Sequence, residues 1–382
     1  MVKFGRAHGG SDALKLLHVS DTHVGFSAYH RVTPEGLNQR EADFFDAFSR
    51  AIDAAIERRV DLVLHSGDLF DSVRPTNRAI SHVLHEARRL HDARIPLVVI
   101  SGNHEAPRLR ETGAVLRLLD FMPGVHAVYK GRTEVVRVGD LAVHATPHAP
   151  SQEALVAELR GVRPLPDARW NVATLHAGVL GVGDFRTGEF NEQVVPQNEL
   201  PQGMDYVALG HYHRRTEVAP GVWYAGSTER CTFRECGEEK GANLVDLARG
   251  KVEFVPLPAR PMVDLPALAC HGLPDGDVAP AVLARIGAAA LDGAVARLKV
   301  GGLRPHVYAT LDMGKVRQAA AAALHFALDV ELLRDEAAPA AHEALGSLAD
   351  EFEAFLEARP VPEQRDKVLA LGQALLRAAE GA

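Results

Sequence analysis

Five groups of Asp, His and Asn residues recur along this chain, and their types and order suit hydrolysis at a pair of divalent ions. They are Asp21-Thr22-His23, Gly67-Asp68-Leu69-Phe70-Asp71, Gly102-Asn103-His104-Glu105, His176 and Gly210-His211-Tyr212-His213. Imidazoles, carboxylates and one amide oxygen suit borderline or hard divalent ions such as manganese, and no thiolate is among them. Two ions about 3.5–4 Å apart need a bridging ligand, and a carboxylate with two oxygens is the natural one. Asp68, central in the order of the groups, is the candidate bridge. Asp21, His23 and one His of the late pair would complete one shell, with Asn103, His176 and the other late His completing the second. Neutral imidazoles and an amide keep the ligand charge low, leaving the ions Lewis-acidic enough to activate a water and hold a phosphate. Phosphoester hydrolysis is the chemistry implied.

His104 adjoins Asn103, and neighbouring residues on one loop do not readily face one ion. Its expected role is to hold the phosphate or protonate the leaving oxygen, with support of a ligand as the blander reading. His65 reads as a satisfied core His or a support for the ligands, and Asp71 either orients a ligand or lies at the rim. Arg31, Arg40, Arg74, Arg78, Arg108, Arg110 and Arg117 fall beside the ligand loops, where two or three could meet phosphates; Arg31, Arg74, Arg78 and Arg108 are the expected set.

The first three groups each follow a short apolar run, Leu14 to Val19, Asp61 to Leu64 and Pro96 to Ile100, which reads as a buried strand. A ligand group at a strand end is where an α/β sheet usually places its site. Phe44, Phe45, Phe48, Ile52 and Ile56 repeat at helical spacing before the second strand, and Ala79, Ile80, Val83, Leu84 and Leu90 do so before the third. Pro75 and Thr76 mark a helix start. Strands then crowd together at 135–138, 141–145, 172–176, 206–209, 222–225 and 242–247. The pattern predicts an α/β fold, two sheets packed face to face with helices outside, over residues 14–257.

Prolines 256, 258, 261 and 266 open a second region, 258–335, with the size of a small α+β module. Its expected elements are a helix over 281–298, a strand over 306–311, a helix over 316–324 and a strand over 327–333. After an Ala-Pro linker, residues 342–382 carry two apolar helical stripes, Leu345, Leu348, Phe352, Phe355 and Leu356, then Val368, Leu371, Leu375 and Leu376. Residues 1–13 are expected to be disordered.

The chain has 382 residues and a net charge of -8, which by itself counts against a nucleic-acid partner. Its distribution reverses that reading: residues 331–382 hold eleven acids against five bases, while residues 1–130 hold seventeen bases against sixteen acids. Three cysteines without regular pairing argue for a reducing compartment, and Cys231 and Cys236 read as structural or incidental rather than a zinc site. No apolar run approaches the ~18 residues needed to span a bilayer and no signal peptide is evident, so a cytoplasmic location is expected.

On these residues the chain resembles the calcineurin-like metallophosphoesterase superfamily, whose pattern is Asp-x-His, Gly-Asp, Gly-Asn-His, His and Gly-His-x-His. Within it the chain resembles the SbcD family of DNA double-strand-break repair nucleases. Leu17 to Gly25, Asn38 to Phe44, and Leu64 to Asp71 with the following Arg74-Pro75 carry that likeness. The superfamily pattern alone would admit protein phosphatases and cyclic-nucleotide phosphodiesterases, so a metallophosphodiesterase of small nucleotides or phosphoproteins is the alternative. The resemblance implies a four-layer α-β-β-α sandwich, manganese at both ion positions and DNA ends as substrate. It also implies a capping domain over 258–335 and a tail over 342–382 whose helices dock on an SbcC-like ABC-type ATPase. A homodimer is implied too, with Leu116, Leu118, Leu119, Phe121 and Met122 as the apolar candidates beside the site. The chain departs from the family most over Cys231 to Gly237 and in its Ala-rich cap.

Overall fold

The computed structural model describes residues 2–4, 14–107, 113–182, 191–333, 348–357 and 365–380. Strand Lys15–Val19 lies parallel to Leu62–His65, followed by Leu97–Ile100 and Val125–Val128, with the antiparallel pair Gly241–Asp246 and Lys251–Pro256 on its other side. The second sheet has seven strands, at its centre Leu141–Thr146, Trp170–His176 and Tyr206–Gly210 running parallel. Alternation along each strand decides the layers. Leu16, Leu62, Leu64, Val98 and Ile100 meet Val136, Val143, Val172, Tyr206 and Ala208 between the sheets. Leu17, Val19, Val63, Leu97 and Val99 point the other way, onto helices Gln39–Glu57 and Asn77–Asp92. On the far side Ala173, Leu175, Val207 and Leu209 pack on Leu155 and Leu159 of helix Gln152–Gly161. This is the four-layer α-β-β-α sandwich expected from the sequence.

The helix starts follow local chemistry. The Asn38 side chain accepts from the amides of Arg40 and Glu41, and Thr76 accepts from Ala79, as the Pro75-Thr76 signal predicted. Arg40, one of the seven arginines considered beside the ligand loops, is fully buried and bonded to Asp43, Glu229 and the Arg230 carbonyl, so its role is structural. Among the described residues no helix is long and apolar enough to cross a membrane.

Residues beyond 260 build a separate core on a three-stranded parallel sheet, Met262–Ala269, Val295–Leu303 and His325–Leu332. Two expectations fail here. The helix placed over 281–298 is instead Asp275–Gly287, and Val295 onward is strand; the alanines at 288–290 follow the helix end, and a turn with Gly293 at φ 60° leads into the strand. The strand expected over 306–311 is the short helix Pro305–Thr310, because Pro305 at its first position presets a helical φ. The helix expected over 316–324 is instead Met313–Ala319, capped by Asp312.

This unit is tied to the sandwich near the site. Arg260 makes a bidentate pair with Asp43 at 2.5 Å on each arm, His325 stacks on Tyr29 at 3.9 Å, and Arg297 lies over the Phe233 ring. At the opposite terminus Val2–Phe4 pairs in parallel with Val136–Val138, while 1 and 5–13, the rest of the stretch expected to be disordered, lie outside the described residues. Helices Leu348–Glu357 and Arg365–Glu380 pack on each other with the Phe352 ring against Gly372, while Leu348, Phe355, Val368, Leu371 and Leu375 remain exposed; Leu345 lies outside the described residues.

Candidate metal centre

The sandwich brings the five groups to one edge, where strands of both sheets end together. Register does this: Val19 pairs with His65, and His176 pairs with Gly210, so loops far apart in sequence leave their sheets side by side. The loop backbones are bent sharply. Asp21, His23, Asp68 and His211 all have positive φ, 52°, 41°, 51° and 104°. Non-glycine residues hold such conformations only where the surroundings over-determine them, and they gather at functional sites. The motif glycines have a steric reason. A Cβ on Gly102 would overlap Asp68 Oδ1, and one on Gly67, at φ 92°, would collide with the His176 ring.

Asp68 lies between two imidazole groups. Its Oδ2 is 3.2 Å from His176 Nε2 and 3.9 Å from His23 Nε2. His176 Nε2 also meets Asn103 Oδ1 at 2.9 Å, and its Nδ1 donates to the Ser66 carbonyl. Asp21 accepts from the His211 amide through Oδ1, while its Oδ2 is buried with no hydrogen-bond donor. A buried carboxylate oxygen left so is costly, and a cation is the partner that would satisfy it. The late histidines separate: His213 comes to His23, Nε2 to Nε2 at 3.2 Å, and His211 packs beside His176.

Electrostatics follow this nesting. Burial works to raise the Asp68 pKa, but His176, His23 and His104 outweigh it and hold the carboxyl well below its usual range. Burial opposes a charge on His176, yet Asp68 and Asp21 overcome it and raise that ring to about 9. Two divalent ions would take over this balance, since ligating imidazoles must be neutral. Among the described residues, donor atoms of Asp21, Asp68 and His176, of His23, Asp68 and His104, and of His23, His213 and Cys231 each fall within 4.8 Å of one another.

The other expected residues divide. His104 is partly exposed; its Nδ1 donates to the Asp71 carbonyl at 2.9 Å, leaving Nε2 for other partners. His65 is buried against Thr22 Oγ1 at 3.0 Å, and burial lowers it to about 3, so it is a neutral brace behind the first loop. Asp71 does not sit idle at the rim, for its Oδ1 is 3.3 Å from His23 Nδ1. Arg74 and Arg78 are exposed on the approach to helix Asn77–Asp92. Arg31 is also exposed but leans on the Leu324 carbonyl of the second unit, and Arg108 lies outside the described residues. Of the apolar group beside the site, Leu116 and Leu119 are core, whereas Leu118 and Phe121 are exposed on the 3-10 turn Val115–Phe121.

Two residues escaped the sequence reading, and a third, Glu105, was named there without a role. Glu105 accepts from the Phe70 and Gly102 amides and so clamps two ligand loops; burial, then Asp68, push it up to about 8. Glu192 meets His211 Nε2 at 3.2 Å. Glu235 meets His213 Nδ1 at 3.2 Å while pairing with Lys240 at 2.6 Å. Burial raises Glu235, but His213 and Lys240 prevail and keep it ionised. Thr232 and Glu235 form a capping box, whose Thr-x-x-Glu spacing was the available signal.

The calcineurin-like phosphoesterase family profile matches residues 14–215. Similar curated proteins include the DNA double-strand break repair protein Mre11 of Thermoplasma acidophilum, 32% identical over 62% of this chain and 63% of that one. Those of Sulfolobus acidocaldarius and Sulfurisphaera tokodaii are each 32% identical, over 62% and 61% of this chain and 61% and 60% of theirs. The chain thus spans less than two thirds of the length of these relatives.

Proposed function

This chain belongs to the calcineurin-like phosphoesterase family, and we propose that it is a manganese-dependent nuclease that hydrolyses phosphodiesters at DNA ends. The observation that carries the reading is Asp68 reaching both His176 and His23 from between them. Asp21, His23, Asp68 and His213 would hold one ion, and Asp68, Asn103, His176 and His211 the other. When bound, such ions polarise the phosphoryl oxygens and make a water nucleophilic near neutral pH.

The chain's own residues do the rest. Glu235 holds His213 by its Nδ1, and the Asp71 carboxylate lies 3.3 Å behind His23 Nδ1. His104, fixed through Nδ1 by the Asp71 carbonyl, offers Nε2 to the phosphate or to the leaving oxygen. Exposed Arg74 and Arg78 would track the DNA backbone, joined by Arg31 and Arg108. The relatives' printed role in double-strand break repair supports the choice of DNA over a small nucleotide. In this reading the 258–335 unit caps the site, and the exposed apolar side chains of helices Leu348–Glu357 and Arg365–Glu380, within the 342–382 tail, dock on an SbcC-like ABC-type ATPase in the cytoplasm. Phe121 and Leu118 would contribute to a homodimer.

The test compares kcat/KM on a duplex DNA end and on a small bis-phosphodiester, with manganese and after chelation. Manganese-dependent degradation of linear DNA, lost in Asp21→Ala and His104→Gln, is expected. Wild-type rates in those variants, or strong preference for the small substrate, would overturn it.

A further inference from the structure

Cys231 departs from the hard-donor character of the rest of the centre. Its sulfur lies within 4.8 Å of donor nitrogens of both His23 and His213. The same carboxylate positions the pair from behind: Glu235 Oε1 accepts from the Cys231 amide and meets His213 Nδ1, each at 3.2 Å.

A second observation marks this spot for a cation. Asp21, assigned above to the same ion, buries Oδ2 with no hydrogen-bond donor, and the His23 and His213 rings bring their Nε2 atoms together at 3.2 Å. Cys231 adds a soft donor beside these rings, and no other such cluster among the described residues includes a sulfur.

We propose that Cys231 is a further ligand of the ion held by Asp21, His23, Asp68 and His213, adding a sulfur to that shell and shifting its preference toward thiophilic ions such as zinc or cadmium relative to manganese. The inference rests on the two-ion reading above. As the metal–sulfur bond forms, the thiol proton passes to solvent. The two positions of the centre would therefore differ in metal preference, the one beside Cys231 being the softer.

Full-length protein stripped by a chelator is titrated anaerobically with cadmium, following near-ultraviolet thiolate-to-cadmium charge transfer and bound metal by mass spectrometry. The band is expected in the wild type and in Cys236→Ser, and absent from Cys231→Ser, which still binds cadmium at the other position. Zinc-over-manganese selectivity should fall at least about tenfold in Cys231→Ser. A band that persists in Cys231→Ser, or cadmium bound without any band in the wild type, overturns the proposal alone. No bound metal in the wild type overturns the two-ion reading with it. Cys231→Thr, judged by circular dichroism, provides a second variant should Cys231→Ser fail to fold.

Discussion

His23 and His213, 190 residues apart in sequence, meet Nε2 to Nε2 at 3.2 Å across the junction of the two sheets. Each ring is held from behind by a carboxylate, Asp71 for one and Glu235 for the other. The site thereby has a supporting layer that can be tested apart from its ligands.

Glu235→Gln should weaken metal binding by about 10–100-fold, since it removes the charge that orients His213 while conserving shape. Isothermal titration with manganese measures this. An unchanged affinity would show that His213 is oriented without Glu235.

Gly102→Ala should cost about 1–3 kcal/mol and displace Asp68, whose Oδ1 occupies the space a Cβ needs. Thermal denaturation together with metal content checks it. Normal values for both would mean the loop shifts freely, against the strained geometry at Asp68.

Arg40→Ala and Arg74→Ala should behave oppositely. Removing Arg40 takes the guanidinium from the buried Glu229 carboxylate, while Asp43 keeps Arg260, and should destabilise by about 3–5 kcal/mol. Arg74 is exposed, so its loss should raise KM for DNA and flatten the salt dependence with little change in melting temperature. Denaturant titration and DNA binding across a salt series separate the two.

His18 predicts a pH dependence of stability. It bridges Tyr206 and Ser66 between the sheets, and burial lowers its pKa to about 3 from 6.5. The folded pKa is depressed, so the unfolded chain binds the proton first as pH falls. The neutral ring's contribution is complete above about 6.5 and declines by about 1.4 kcal/mol per pH unit toward pH 3. His18→Gln should flatten the stability profile between pH 6.5 and 4 relative to wild type. Parallel profiles would reject the assignment.

Metal affinity should strengthen as pH rises toward 9, because His176 must release a proton to ligate and Asp68 and Asp21 make that proton tightly held. Calorimetry in buffers of different ionisation enthalpy should report proton release on manganese binding. Its absence would indicate that His176 is already neutral.

The two-sheet sandwich was legible in the sequence because each strand of the first sheet is a short apolar run whose end carries a ligand group. Burial needs of that kind are local and survive in the order of residues. The second unit was less legible, since its Ala-rich run favours a helix that packing ends at Gly287, and Val295 onward joins a sheet. Sequence alone also named Asp21, His23, Asp68, Asn103, His176, His211 and His213, residue types whose chemistry has few other uses in that order. Tertiary structure decided what depends on the register between strands: that His213 and not His211 joins His23, that Arg40 is interior, that Glu105, Glu192 and Glu235 reach in, and that Cys231 faces the two imidazoles. Those contacts join loops from both sheets, and no local pattern encodes a distance set by how two twisted sheets close on each other.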